Sequence, residues 1–132
     1  MPLLVPNAAE EVMLQNILNK VAPQNGRLKL YTNNITPAET DTEATYTEAA
    51  GFGYASILLA AGSWTITPGA PTQAAYPEQT FTFSGALGNV YGYFVVQDTS
   101  GKILFAERFS TGPFLIANAG DQIKVTMQFT GE

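Results

Sequence analysis

The stretch that decides the fold is Val90-Tyr91-Gly92-Tyr93-Phe94-Val95-Val96, followed by Asp98-Thr99-Ser100-Gly101. It is the most apolar run in the chain, and such a run closed by a turn predicts a central strand. Asp98 to Gly101 reads as a tight hairpin turn, so Lys102 to Phe109 returns antiparallel. Outward from this hairpin the pattern stays β. Arg27-Leu28-Lys29-Leu30-Tyr31 and Gln79-Thr80-Phe81-Thr82-Phe83 alternate polar and apolar residues, the mark of half-buried strands. Phe52 to Leu59, Ser63 to Thr67 and Thr72 to Tyr76 predict three more, separated by Ala60-Ala61-Gly62 and Pro68-Gly69. Gln122 to Phe129 is the last, with Ile123, Val125, Met127 and Phe129 on one face. Seven or eight short strands, with no internal repeat and no βαβ alternation, predict an antiparallel β-sandwich. Jelly-roll and immunoglobulin-like wirings both stay open.

The N-terminal segment differs. Glu10 follows Asn7 by three residues in the manner of a capping box, and Glu10 and Glu11 suit the positive end of a helix dipole. Met13, Leu14, Ile17, Leu18 and Val21 fall on one helical face, and Pro23 ends the pattern. The spacing predicts a helix over Ala8 to Val21, marginal alone in water and therefore docked. It docks on its own β-domain or on a neighbouring subunit. The division expected is an arm and helix over 1–24 and a β-domain over 25–132.

Composition narrows the function classes. The 132 residues suit one domain. Charged residues are 13% of the chain, against a usual share of about 25%. The net charge is −5, and Lys20, Arg27, Lys29, Lys102, Arg108 and Lys124 are scattered. Without a basic stripe to neutralise phosphates, nucleic-acid binding is not expected. Cysteine and histidine are absent, which excludes disulfides, thiolate metal sites, cysteine nucleophiles and the Ser-His-Asp arrangement. Met1-Pro2-Leu3-Leu4-Val5-Pro6 lacks a basic n-region and a long apolar h-region, so no signal peptide is expected. No apolar run reaches the roughly 20 residues that span a bilayer, so no membrane partner is expected.

Other candidate chemistry has a plain reading beside it. Glu39, Asp41, Glu43 and Glu48 read as a solvated acidic loop; a calcium site is the alternative, although the spacing is not that of an EF-hand. Glu107 and Arg108 point to opposite faces of one strand and read as cross-strand ion-pair or interface residues; pairing of Glu107 with Glu78 or Glu48 for glycoside hydrolysis has no support in the spacing. Tyr31, Tyr46, Tyr54, Trp64, Tyr76, Tyr91 and Tyr93 read as core aromatics with hydroxyls at its edge; a sugar-stacking platform, with Tyr91 and Tyr93 on one face, is the alternative. Gly51-Phe52-Gly53 is too short for a phosphate loop. No enzyme activity, cofactor or metal is expected.

The opening Met1 to Pro6 and its helix, then Leu28-Lys29-Leu30-Tyr31-Thr32-Asn33-Asn34-Ile35-Thr36-Pro37, resemble the start of small virion proteins of tailed bacteriophages. Val90 to Val96, Gly101, Leu104-Phe105-Ala106-Glu107-Arg108-Phe109 and Gly120-Asp121 are similar to the same head-associated, decoration-type proteins. The resemblance implies a capsid decoration (cement) protein, made in the host bacterial cytoplasm and carried in the virion. Its partners would be the major capsid protein or other virion proteins. A homo-oligomer follows, a trimer being natural at three-fold shell positions. The interface residues expected are Leu3, Leu4 and Val5 of the arm with Met13, Leu14, Ile17 and Leu18 of the helix. Rival readings are a tail, baseplate or fibre component with a receptor- or carbohydrate-binding role, and a carbohydrate-binding domain of a bacterial enzyme.

Overall fold

The computed structural model describes residues 3–131. Met1 and Pro2 of the expected arm, and Glu132 at the end of the expected β-domain, lie outside them. The chain is mainly β and its sheets are antiparallel. One α-helix, α1 (Asn7–Ile17), precedes eleven strands among the described residues, more than the seven or eight expected. They are β1 (Gly26–Tyr31), β2 (Ile57–Leu59), β3 (Thr65–Thr67), β4 (Thr72–Ala75), β5 (Gln79–Thr82), β6 (Gly88–Val90), β7 (Gly92–Gln97), β8 (Ile103–Arg108), β9 (Phe114–Ile116), β10 (Gln122–Val125) and β11 (Gln128–Gly131).

The larger count arises because β9 is an additional strand and because long runs break where the chain changes sheet. Val90 ends β6, which pairs with β9, and Gly92 opens β7, which pairs with β1 and β8. Val125 ends β10 beside β5, and Gln128 opens β11 beside β4. Of Phe52 to Leu59 only the end is strand, because Gly51, Phe52 and Gly53 all have positive φ and form a turn.

The largest sheet has the order β2-β1-β7-β8. Its β7 is buried at every position, because both of its faces are covered. On one face Leu28, Leu30, Tyr93, Val95 and Phe105 pack against Phe81, Val90, Ile116, Ile123 and Val125 from the other sheets and against Phe83 and Met127 beside them. On the opposite face Tyr31, Phe94, Val96, Ile103 and Ala106 lie under Tyr46, Ala8 and Ile35. In β8 the alternation slips by one: Val95 stands opposite Phe105 and Val96 opposite Ile103. Leu104 is the extra residue of a bulge, so Leu104 and Phe105 both pack into the first core.

The acidic segment is not a free loop. Thr32 N–H donates to Thr47 O and Ala49 N–H to Leu30 O, both at 2.9 Å, so 47–49 extends the sheet beyond β2 along the same edge of β1. Tyr46 places its ring 4.9 Å from Phe94, nearly parallel to it, and 5.0 Å from Tyr31. Asp41 accepts bonds of 2.8 Å from Ala38 N–H and from Tyr46 O–H. Glu48 takes Tyr54 O–H at 2.8 Å and pairs with Lys29 at 3.2 Å. Asp41 and Glu48 thus pin their own segment to the sheet, which corrects the solvated-loop reading for these two acids, whereas Glu39 and Glu43 are exposed.

Candidate interaction surface

The helix starts at Pro6, which is fully buried and holds the N-cap position in place of Asn7. Its fixed φ of −68° enters the helix without strain, and the expected side-chain cap is absent. At the other end Asn19 sits at φ 56°, Lys20 N–H donates to Gln15 O at 2.8 Å and Asn19 N–H to Asn16 O at 3.1 Å. This is a Schellman stop, so the helix ends at Ile17, short of Val21, and before Pro23 can act.

Two anchors fix the helix on the sheet. Leu4 N–H donates to Ala106 O at 2.9 Å and Ala106 N–H to Leu4 O at 3.0 Å, which covers the edge of β8. Asn7 N–H donates to Glu39 O at 2.9 Å. The side chains then dock in an unexpected sense. Ala9 and Val12 are buried and Ala8 packs beside Ala106, because small residues let the helix approach β8 closely. The large apolar side chains point away: Met13 is 54% exposed, Leu14 61%, Ile17 70% and Leu18 72%.

The sequence-expected interface set therefore splits. Leu3 packs on the first core and Leu4 is tied to β8, so both serve the fold itself. Val5 is 37% exposed and faces a cleft of about 420 Å³ that Met13, Ile66, Ala74 and Phe129 also line, with Glu10 at its rim. Met13, Leu14, Ile17 and Leu18 form one outward face. Ile66, on the exposed strand β3, was not singled out by sequence reasoning; the alternation of Thr65-Ile66-Thr67 was its only signal. A smaller cavity of about 230 Å³ lies beneath the helix, lined by Leu3, Val12, Leu104, Phe105 and Phe129. Asn16 also lines it, and the buried Asn16 Oδ1 has no hydrogen-bond partner among the described residues.

The aromatics are spent on packing. Trp64 meets Tyr76, Phe105 and Phe129 edge-on, at 5.0, 6.3 and 5.6 Å. Tyr91 and Tyr93 do not share a face: the break between β6 and β7 sends Tyr93 into the first core and Tyr91 to the second. Arg108 lies 5.2 Å over the Tyr91 ring and donates to Ile35 O at 2.9 Å, while Glu107 stands opposite Tyr93. The cross-strand ion pair expected of these two residues is absent among the described residues.

Burial raises the pKa of four tyrosines. Tyr31 is pushed up to about 12 by desolvation, which the Arg108 charge partly opposes. Tyr46 rises through burial and its bond to Asp41, Tyr54 through burial and Glu48, and Tyr93 through burial beside Glu107. The folded state thus holds these protons more tightly than the unfolded chain, whose tyrosines ionise at 10.0. Their contribution is fully present below about pH 10 and is lost as pH rises through the folded values. Urea midpoints should be level in this respect from pH 7 to about pH 9 and fall steeply above about pH 10. Equal midpoints at about pH 9 and pH 11 would contradict the burial of these hydroxyls.

No helix of the described residues is long and apolar enough to cross a membrane. No protein-family model, curated protein or solved structure matches the chain.

Proposed function

We propose that the chain is a non-enzymatic structural virion protein, a capsid decoration (cement) protein that binds the shell through the outward face of α1. The observation that carries this reading is the exposure of Met13, Leu14, Ile17 and Leu18 on a helix whose other face is already docked. A contiguous apolar face left in water on a firmly anchored helix marks a protein interaction site. The phage-protein resemblance of the arm, the Leu28 to Pro37 segment and the β7–β8 hairpin supplies the kind of partner: the major capsid protein or another virion protein.

In this reading the β-layers form a sandwich that serves as a rigid mount. Leu4 and Pro6 hold the helix to it, so little ordering entropy remains to be lost on docking. The rival, a tail or fibre module that stacks sugars, calls for open aromatic faces. The tyrosines and Trp64 are packed inward, and the exposed Phe52 is a lone ring lying over Gly85.

Quantitative mass spectrometry of purified particles, counting this chain against the major capsid protein, tests the assignment. Decoration predicts on the order of hundreds of copies per particle, because cement proteins occupy every equivalent shell position. A few to a few dozen copies would move the chain to the tail or a vertex, and absence from particles would retire the virion reading.

A further inference from the structure

We propose that the cavity beneath α1 is a binding site for a small, uncharged ring compound that carries one hydrogen-bond donor. The lining sets the class of ligand. Ala9, Val12, Met13 and Asn16 fall at i, i+3, i+4 and i+7, so a single stripe of the helix faces the cavity. The β-domain contributes Leu104, the bulge residue of β8, with Phe105 and Phe129. Leu3 and Val5 of the arm complete it. Two aromatic rings and the Met13 thioether favour a ring over an aliphatic chain. No charged residue among those described lines the cavity, so a charged ligand would lose its hydration without compensation.

Asn16 supplies the polar contact. It is the one polar side chain of the lining, and its buried Oδ1 has no hydrogen-bond partner among the described residues. An unpaired buried acceptor is costly, and a donor brought to it recovers that cost. Water is a poor donor here, because a buried water is held by about two to four polar partners and the lining offers one polar side chain. A ligand that is apolar except for one N–H or O–H satisfies both demands. It covers the apolar walls and meets the amide.

Size and access agree. The cavity measures about 230 Å³. Apolar cavities of ~150 Å³ take benzene, so this one has room for two fused rings. The site is largely formed beforehand, since Leu4 and Pro6 already hold the helix. Met13 is 54% exposed and flexible, and gives the ligand a way in. Leu14, Ile17 and Leu18 take no part in the lining, so the site goes beyond the decoration reading and does not rest on it.

Indole and indene provide the test, because they share a shape and only indole carries the ring N–H. Each is titrated into the full chain up to about 2 mM and followed by methyl and amide NMR shifts. Indole should bind with a dissociation constant on the order of 100 µM and shift Ala9, Val12 and Leu104. Indene should bind about five-fold more weakly, the loss of one hydrogen bond. In Asn16→Leu, at a half-buried position, that preference should vanish and indene should bind at least as tightly as indole. Val12→Phe, which fills the cavity, should abolish binding of both. The comparison at Asn16 stands even where Val12→Phe fails to fold. No shift with either compound would overturn the inference. So would equal affinities for the wild type, or an indole preference kept in Asn16→Leu. Particle binding is scored separately: a protein that takes indole and ignores particles leaves this inference standing and removes the decoration reading.

Discussion

Replacing Tyr46 with alanine is expected to lower the unfolding free energy by about 4 kcal/mol, the size seen when a buried aromatic is removed from a packed core. The ring lies flat on Phe94 at 4.9 Å and meets Tyr31 at 5.0 Å, so the second core loses its lid. Tyr46→Phe keeps the ring and loses the 2.8 Å bond to Asp41, so its cost should be nearer 1 kcal/mol. The gap between the two variants is the informative quantity, read from urea unfolding monitored by near-ultraviolet circular dichroism. Equal small losses would show that the ring is not buried. The change also reaches the proposed interaction surface. Glu39, on the segment that Tyr46 pins, accepts the Asn7 N–H at the start of the helix.

Gly92→Ala is the second large effect, at about 3 kcal/mol, from overpacking where the neighbours cannot yield. A Cβ at Gly92 would stand 2.6 Å from the Tyr31 ring and closer still to the Glu107 carbonyl oxygen, which belongs to the adjacent strand. A flexible side-chain tip could move aside; a ladder carbonyl and a fully buried ring cannot. The glycine is needed for space, since its φ is not in the left-handed region. The urea midpoint should fall by on the order of 1–2 M with the slope kept. An unchanged midpoint would mean that Tyr31 does not cross β7 at this point. A double variant, Gly92→Ala with Tyr31→Leu, relieves only the ring contact and should recover only part of the loss.

Much of the fold was legible in the sequence because burial on one face leaves a period of two. Arg27 to Tyr31, Gln79 to Phe83 and the hairpin at Asp98 to Gly101 appear where alternation and turn chemistry place them. Other features left no such trace. Phe114-Leu115-Ile116 is too short to show a period, and its partner β6 lies inside what reads as one continuous apolar run with β7. Tyr46 is a single aromatic in a polar stretch, and only the sheet edge of β1 explains why that stretch is ordered. The helix teaches the sharpest lesson. Periodicity correctly groups Met13, Leu14, Ile17 and Leu18, yet it does not say which face is buried. Close approach to Ala106 favours Ala8, Ala9 and Val12, so the small side chains went inward and the large apolar ones were left to water.

That inversion also changes how the surface should be tested. Removing the whole N-terminal segment would strip the β8 edge of its Leu4 partner at Ala106 and take Ala8 from the second core, and so confuse folding with binding. Point substitutions on the outward face avoid this, because surface changes usually shift stability by no more than about 0.5 kcal/mol.

The central claim is that the outward face of α1 is the working surface. The most direct test is co-sedimentation of the protein with purified particles stripped of it, comparing wild type with Leu14→Asp/Ile17→Asp. The account predicts an unchanged unfolding midpoint and an affinity reduced roughly 30-fold or more, the loss expected when an interface forfeits about 2 kcal/mol. Wild-type binding by a folded double variant would contradict it and place the contact elsewhere on the β-domain.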